Sequence, residues 1–404
     1  MLDVAKIREQ FPILNRKVKG KPLVYFDNAA TTQKPQVVID AILAYYQNTN
    51  ANVHRGIHTL SEEGTLAMES SRDYIAEYIG ANRTEVIFTK GTTEGINLVA
   101  SSLGLFHFNK GDEILISTME HHANIVPWQI LCGRLGLKLK IIEINDKGEL
   151  NLESFRTQLS HKTKLVSLVH TSNTLGTINP VKEVVDEAHK AGALVLIDGA
   201  QAMGHGKVDV KDLDCDFFVF SSHKLFGPTG VGILYGREEI LEQMPPYQSG
   251  GEMIAEVTFE RTIYNELPYK FEPGTPHIEG NIVLAEAIKW FAALDHEQVH
   301  AHETNLLAKA TEHIRSIDGV KIIGEAENKT SVVSFFVEGV HHQDLAMFLD
   351  THGIAVRTGH HCTQPLMQRF GLSGTTRASF SVYNTIDEID FFAEKLKRTI
   401  DILR

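Results

Sequence analysis

Short apolar, β-branched and aromatic runs recur through the middle of the chain, spaced so that one helix fits between most neighbours. Glu85–Thr89, Glu113–Ser117, Leu137–Glu143, Leu165–His170, Ala193–Asp198, Phe217–Ser221 and Val231–Tyr235 read as strands. Helical patterns at Thr93–Leu103, Ile125–Leu135, Leu152–Leu159 and Val181–Ala191 separate several of them. Such alternation predicts α/β architecture, a mainly parallel sheet with helices on both faces. A long helical pattern follows at Gly280–Leu294. Beyond it Lys321–Ile323, Ser331–Val337 and Arg377–Val382 read as strands, with helices at His342–His352 and Asp387–Leu403. The expected organisation is a helical segment over 1–20 assigned to the smaller unit, a large α/β domain over 21–290, and a small α+β domain over 291–404. Met1–Leu14 mixes charged and apolar residues as a short amphipathic helix and lacks the pattern of a secretory signal.

Composition narrows the function classes. A net charge of −12 argues against nucleic acid as a bulk partner, since phosphate binding needs an excess of Lys and Arg. No apolar run approaches the roughly 20 residues of a bilayer span. Cys132, Cys215 and Cys362 cannot build a disulfide framework, so a cytoplasmic, reducing location is the default expectation.

Candidate chemistry collects after the strands, where open α/β sheets bind ligands. Phe217–Ser221 runs into Ser222, His223 and Lys224, closed by Gly227-Pro228-Thr229-Gly230. A lysine held in such a turn is placed to lose its proton and form a Schiff base with a carbonyl. Glu85–Thr89 leads to Gly91-Thr92-Thr93, backbone N–H groups and hydroxyls suited to a phosphate. Ala193–Ile197 ends in Asp198, an acid able to face a protonated ring nitrogen. Glu113–Ser117 leads to His121-His122, either of which offers a flat ring for stacking. Pyridoxal phosphate accounts for all four features, whereas a nucleotide leaves the lysine unexplained and no Walker motif is present.

Seven segments, in this order, carry a resemblance: Tyr25 to Pro35, His54 to His58, Gly91 to Gly95, Glu120 to Asn124, Asp198 to Gln201, Ser221 to Gly227 and Arg357 to Cys362. Together they resemble cysteine desulfurases of the class V aminotransferase family, in the Suf-type branch. The resemblance implies a fold-type-I pyridoxal-phosphate transferase, a homodimer, and Lys224 as the residue that carries the cofactor. It further implies His121 stacked on the ring, Asp198 on the ring nitrogen, Gln201 on the ring hydroxyl, and a phosphate held by Thr92, Thr93, Ser221 and His223. Thr275 would reach the partner subunit's phosphate. Ala30, Arg55, Asn173, Arg357 and Arg377 would line the substrate pocket.

The thiols separate by context. Cys132 sits in an apolar helical pattern and Cys215 at a strand start, both positions of burial. Cys362 lies in a polar loop beside His360 and His361, where a thiol can be reached and activated. A metal site at His360-His361-Cys362 is the competing reading, disfavoured because zinc wants four ligands and no second cysteine cluster exists. The expected reaction takes L-cysteine, or L-selenocysteine, to alanine. Lys224 moves the Cα proton and Cys362 takes the sulfur as a persulfide for iron–sulfur cluster assembly. The alternatives are a selenocysteine lyase and a class V aminotransferase-like enzyme. Gln343, which precedes Asp344 where the zinc-scaffold branch carries His, favours a SufE-like sulfur acceptor. Thr363 stands after the cysteine where alanine is commoner in the family.

Overall fold

The computed structural model describes residues 2–404. Seven strands form the central sheet: β1 (Val86–Thr89), β2 (Glu113–Ser117), β3 (Lys138–Ile142), β4 (Thr163–Val169), β5 (Leu194–Asp198), β6 (Phe217–Ser221) and β7 (Gly232–Gly236). Their order is β1-β7-β6-β5-β4-β2-β3, parallel except for β7, which runs antiparallel to both neighbours. The expected α/β sheet is therefore present. Because β7 reverses twice, the carboxyl ends of β1, β2, β4, β5 and β6 all reach one edge.

Side chains alternate between two cores, as the twofold period of a strand requires. Phe218, Phe220, Val195 and Ile197 enter one, while Phe217, Val219 and Leu196 enter the other. Helices α1 (Gln36–Ala44), α2 (Thr59–Ile79), α3 (Thr92–Leu103), α4 (Val126–Leu135) and α5 (Val181–Lys190) belong to this unit, joined by α6 (Ile278–Ala292). A four-stranded antiparallel sheet, Val320–Ile323, Val332–Val337, Thr375–Ser379 and Arg357–Gly359 in that order, builds the second unit. It is backed by helices α7 (His296–Arg315), α8 (His342–Asp350) and α9 (Ile386–Leu403).

Three local expectations change. Helix at the N-terminus covers only Val4–Glu9, and a 3-10 turn begins at Pro12, which lacks the N–H that would continue the helix. Ile7, Phe11 and Leu14 pack into the large core rather than the small one, with the Phe11 ring 4.6 Å from Tyr383 and 5.3 Å from Trp290. Conversely, Val24 and Phe26 enter the small core, where Val24–Tyr25 pairs with Ile354–Ala355. Near residue 290 α6 ends at Ala292 and α7 begins at His296, and α7 itself places Val299 in the large core and Leu306, Ala310 and Ile314 in the small one. The strand expected at Arg377–Val382 ends at Ser379, because Ser381 to Asn384 forms a turn closed by Asn384 Oδ1 on the Ser381 N–H at 2.9 Å. Among the described residues, no helix is long and apolar enough to cross a membrane.

One buried ion cluster anchors the large unit. The Arg72 side chain, fully buried, donates to Glu272 at 2.7 and 2.8 Å, to Glu69 at 3.1 Å and to the Val86 carbonyl at 2.9 Å. Arg72→Leu would leave the buried Glu272 carboxylate without its cation, whereas Glu69 keeps Arg83 and His54, so a loss of about 3–5 kcal/mol is expected. The urea midpoint of the variant reads it.

Candidate active site

The carboxyl edge of the sheet opens into a cavity of about 230 Å³ that also reaches the small unit. Ala30, Thr92, Thr93, His121, Asn173, Asp198, Gln201, Ser221, His223, Lys224, Arg357, Cys362 and Arg377 all line it. Arg55 and Thr275 do not. Arg55 is mostly exposed and pairs with Glu252 at 2.8 Å. Thr275 lines a separate groove with Lys90, Tyr247 and His277.

The turn after β6 sets Lys224. Ser222–Lys224 is a single 3-10 turn, closed by Leu225 N–H donating to Ser222 O at 2.9 Å. The His223 carbonyl accepts from Thr32 N–H at 3.1 Å, Thr31 Oγ1 at 3.0 Å, Thr32 Oγ1 at 3.2 Å and Lys34 Nζ at 3.0 Å. Four donors on the peptide preceding Lys224 fix the direction in which its side chain leaves. Lys34 has only carbonyl partners, and burial pushes its amine down to about 7. Burial likewise pushes Lys224 down to about 8, with Asp198 opposing and Arg377 reinforcing the shift.

Around Lys224 stand groups of complementary type. Gly91 adopts φ +145°, a backbone that side chains rarely take, and turns the chain into α3. Thr92 N–H donates to Ser221 Oγ at 2.9 Å, linking the helix start to the end of β6. Asp198 is fully buried, with Oδ1 accepting from Ala200 N–H at 2.9 Å, and burial raises its pKa above the ordinary carboxylate range. His121 Nδ1 accepts from Ala123 N–H at 3.0 Å, so the neutral ring carries its proton on Nε2. Burial and the nearby Lys224 push its pKa down to about 4.

Three contributors were not legible in the sequence pattern. Asp27 accepts from Arg377 at 3.0 Å and faces Arg357 at 3.6 Å, so one carboxylate holds both arginines. Glu120, buried and pushed up to about 8, accepts from Asn124 at 2.6 Å and from Val169 N–H at 3.1 Å, tying the end of β2 to that of β4. His122 meets the Cys362 loop, its N–H donating to the Cys362 carbonyl at 2.7 Å. For the third, the sequence offered its place beside His121 and within the Glu120 to Asn124 segment, which pointed to ring stacking and not to the Cys362 loop.

Arg377 and Asn173 present unused polar atoms. Arg377 donates to the Asn173 carbonyl at 2.9 Å, while its buried Nε has no partner; Asn173 Oδ1 is also buried and unpartnered. The free guanidinium N–H of Arg377 beside a cavity suits a carboxylate, while Asn173 Oδ1 is an acceptor left for a donor such as a protonated amine. Cys362 is half-buried, whereas Cys132 and Cys215 are buried and burial raises both thiol pKa values. His361 turns away from the thiol, its Nε2 2.9 Å from Thr375 Oγ1. The imidazoles nearest Cys362 are His122 and His360, the three ligand atoms lying within 4.8 Å of one another. This set is one ligand short of a structural zinc site.

Residues 24–392 match the aminotransferase class-V family. The chain belongs to that family. A probable cysteine desulfurase of Vibrio cholerae is 48% identical over 404 residues, covering 100% of both chains. A cysteine desulfurase of Synechococcus elongatus is 48% identical over 98% of this chain, which spans 63% of that longer protein's length. Among solved structures, an apo cysteine desulfurase from Thermococcus onnurineus superposes with a TM-score of 0.94 at 40% identity, covering 99% of this chain and 98% of that one.

Class V aminotransferases work with pyridoxal phosphate, and the cavity fits it. Asp198 is a buried acid whose charge needs a cation, which a protonated ring nitrogen supplies. The start of α3 with Thr92, Thr93 and Ser221 offers donors to a phosphate. Lys224 is an amine with no hydrogen-bond partner among the described residues, free to react with an aldehyde. Only the unprotonated amine is nucleophilic. Cofactor-free protein mixed with pyridoxal phosphate is therefore expected to couple about tenfold faster per pH unit up to about pH 8 and to level off above it. Stopped-flow absorbance reads that profile; a plateau reached only near pH 10.5, the ordinary lysine value, would contradict it.

Proposed function

We propose that Cys362 receives sulfur from a substrate held by Arg377 and Asn173 while Lys224 moves its proton. The chain is a pyridoxal-phosphate-dependent cysteine desulfurase and acts on L-cysteine, as its full-length relatives do by name. One observation supports this division of labour above the rest: Lys224, Asp198 and Cys362, brought from both units, line one cavity.

Pyridoxal phosphate, when bound, supplies an aldehyde to hold an amine and a ring that draws electrons from the bonds at Cα. The protein does the remainder. Asp198 would hold a protonated ring nitrogen, and His121 would lie against the ring. Thr92, Thr93, Ser221 and His223 would hold the phosphate, and Gln201 would meet the ring hydroxyl. Lys224 takes the Cα proton as a buried base whose pKa is close to neutrality. Arg377 grips the substrate carboxylate, with Asn173, Arg357 and Ala30 beside it. The Cys362 thiolate then attacks the substrate sulfur. An S–S bond forms, the C–S bond breaks with its electron pair moving to the substrate carbon, and protonation yields alanine. Since Nε2 of His121 carries the proton, that ring is a donor toward the cavity.

Outside the cavity, Arg55 and Thr275 find a role in a homodimer, reaching the partner subunit's site. Ile57, Leu66 and Phe259 are exposed in the same regions, apolar surface that a second copy would cover. The persulfide passes to a SufE-like protein rather than a zinc scaffold, because Gln343 at the start of α8 offers no metal ligand in place of the usual His. Iron–sulfur cluster assembly is the destination of the sulfur, in the Suf-type manner, in the cytoplasm. The test is the product count: purified enzyme with a slight excess of L-cysteine and no reductant should form one alanine and one persulfide per subunit. Continuous alanine release without a thiol acceptor, or transfer of the amino group to a keto acid, would overturn this reading.

A further inference from the structure

The chain around Cys362 adopts a backbone that its side chains disfavour. His361 and Cys362 are consecutive non-glycine residues with φ of 51° and 58°. Left-handed conformations of this kind persist only where surrounding contacts over-determine them. Two of these contacts come from one residue, His122. The His122 N–H donates to the Cys362 carbonyl at 2.7 Å, and the His122 ring accepts the Gln364 N–H on Nε2 at 3.1 Å. His122 thus grips the chain at two points just after the thiol, one through its backbone and one through its ring.

The second bond also meets a need of the loop. Gln364 opens the helix Gln364–Arg369, whose first N–H groups have no acceptor within the helix. A ring from the loop after β2 supplies one. Acceptance requires an unprotonated Nε2, and burial beside His360 keeps the His122 pKa below the ordinary histidine range. The other ties from outside the loop, Asn173 Nδ2 to the His361 carbonyl at 2.9 Å, Thr174 Oγ1 to Thr363 Oγ1 at 3.0 Å and His361 Nε2 to Thr375 Oγ1 at 2.9 Å, are buried within the site, while the Cys362 N–H to His360 Nδ1 bond at 3.1 Å is internal to the loop. The bond from Gln364 to His122 lies at the exposed side of the loop. It is therefore the tie that can open while the substrate-facing contacts stay in place. Its neighbour His121 lines the cavity, so the segment that senses the site also holds the thiol loop.

We propose that His122 is a positioning residue, a latch whose ring holds the Cys362 loop over the cavity and whose release lets the thiol turn outward to a protein acceptor. The outward turn rests on Cys362 being the sulfur carrier; the latch itself does not, and the two are tested apart.

The test compares cofactor-loaded wild type, His122→Ala and His122→Gln, the glutamine carbonyl being able to accept from Gln364. Amide exchange of residues 360–364 is followed by mass spectrometry, together with the rate of Cys362 alkylation by iodoacetamide across pH. The alkylation plateau at high pH reports access to the thiol, while the midpoint reports its acidity. For His122→Ala, exchange in this segment and the alkylation plateau are expected to rise at least tenfold, with the cofactor absorbance retained. His122→Gln should restore both. Unchanged exchange in His122→Ala, a shifted midpoint with an unchanged plateau, or a glutamine variant no different from alanine would each overturn the latch. Alanine yield from Cys362→Ser tests the sulfur carrier independently of all three.

Discussion

Cys362→Ser is expected to form at least about a hundredfold less alanine from L-cysteine than the wild type, a loss of roughly 2.7 kcal/mol or more of transition-state stabilisation. Serine preserves shape, but its hydroxyl is scarcely ionised at neutral pH and is a poor acceptor of sulfur. Neither of the other thiols can substitute, for Cys132 and Cys215 are buried and do not line the cavity. The loop should persist, since its hydrogen bonds use the backbone of residue 362 and not its side chain. Cofactor binding is accordingly expected to match the wild type, and absorbance confirms that the defect lies in chemistry. Equal alanine from both proteins would mean a lyase that releases sulfur without this thiol. L-selenocysteine gives a useful contrast: selenium leaves more readily, so the variant should lose much less activity with it.

Lys224→Ala should cost at least about a thousandfold in alanine formation, within the range for removing a positioned acid–base group. It should also abolish covalent attachment of the cofactor. Borohydride reduction followed by mass analysis distinguishes the two roles. The wild-type subunit gains the mass of the reduced cofactor, whereas the variant stays unmodified even though Asp198 and the Thr92–Thr93 cradle still bind the cofactor reversibly. A small alkylamine added to the variant should restore part of the proton transfer, because the cavity freed by the side chain admits it. Persistent borohydride-stable modification of Lys224→Ala would place the attachment on another amine. Lys34 is the first to examine, having an amine pushed down to about 7 and bonded to the same turn.

Much of this site was readable because its chemistry sits at the ends of strands whose apolar runs are distinctive. Phe217–Ser221 and Glu113–Ser117 were located to the residue, and Lys224 and His121 follow from them. Where the apolar pattern fails, so does the reading. Helix α2 buries Ser61, Gly64, Ser71 and Arg72 among Met68, Ile75, Tyr78 and Ile79, so small and charged residues interrupt its apolar stripe, most of all in its first half. Phe11 looked like part of an independent amphipathic helix; its partners Phe226, Trp290 and Tyr383 lie hundreds of positions away. Asp27 and Glu120 stayed hidden for a related reason. A carboxylate becomes informative only once the arginine or buried amide facing it is known, and Arg377 is 350 positions from Asp27. Arg55 and Thr275 carried family motifs yet stand outside the cavity of their own chain.

Helix α7 has a mechanical consequence. It is a single span of 20 residues, about 30 Å long, rooted in one core by Val299 and in the other by Ile314. Its Glu303 also accepts from His205 at 2.7 Å on the large unit. A continuous rod embedded at both ends resists bending far more than a linker does. Opening the two halves like a jaw would mean bending this rod or drawing Val299 and Glu303 out of the large unit. The shorter travel for the sulfur from Lys224's side of the cavity to a waiting protein is through the few residues around Cys362, a crane arm swinging on a stiff frame.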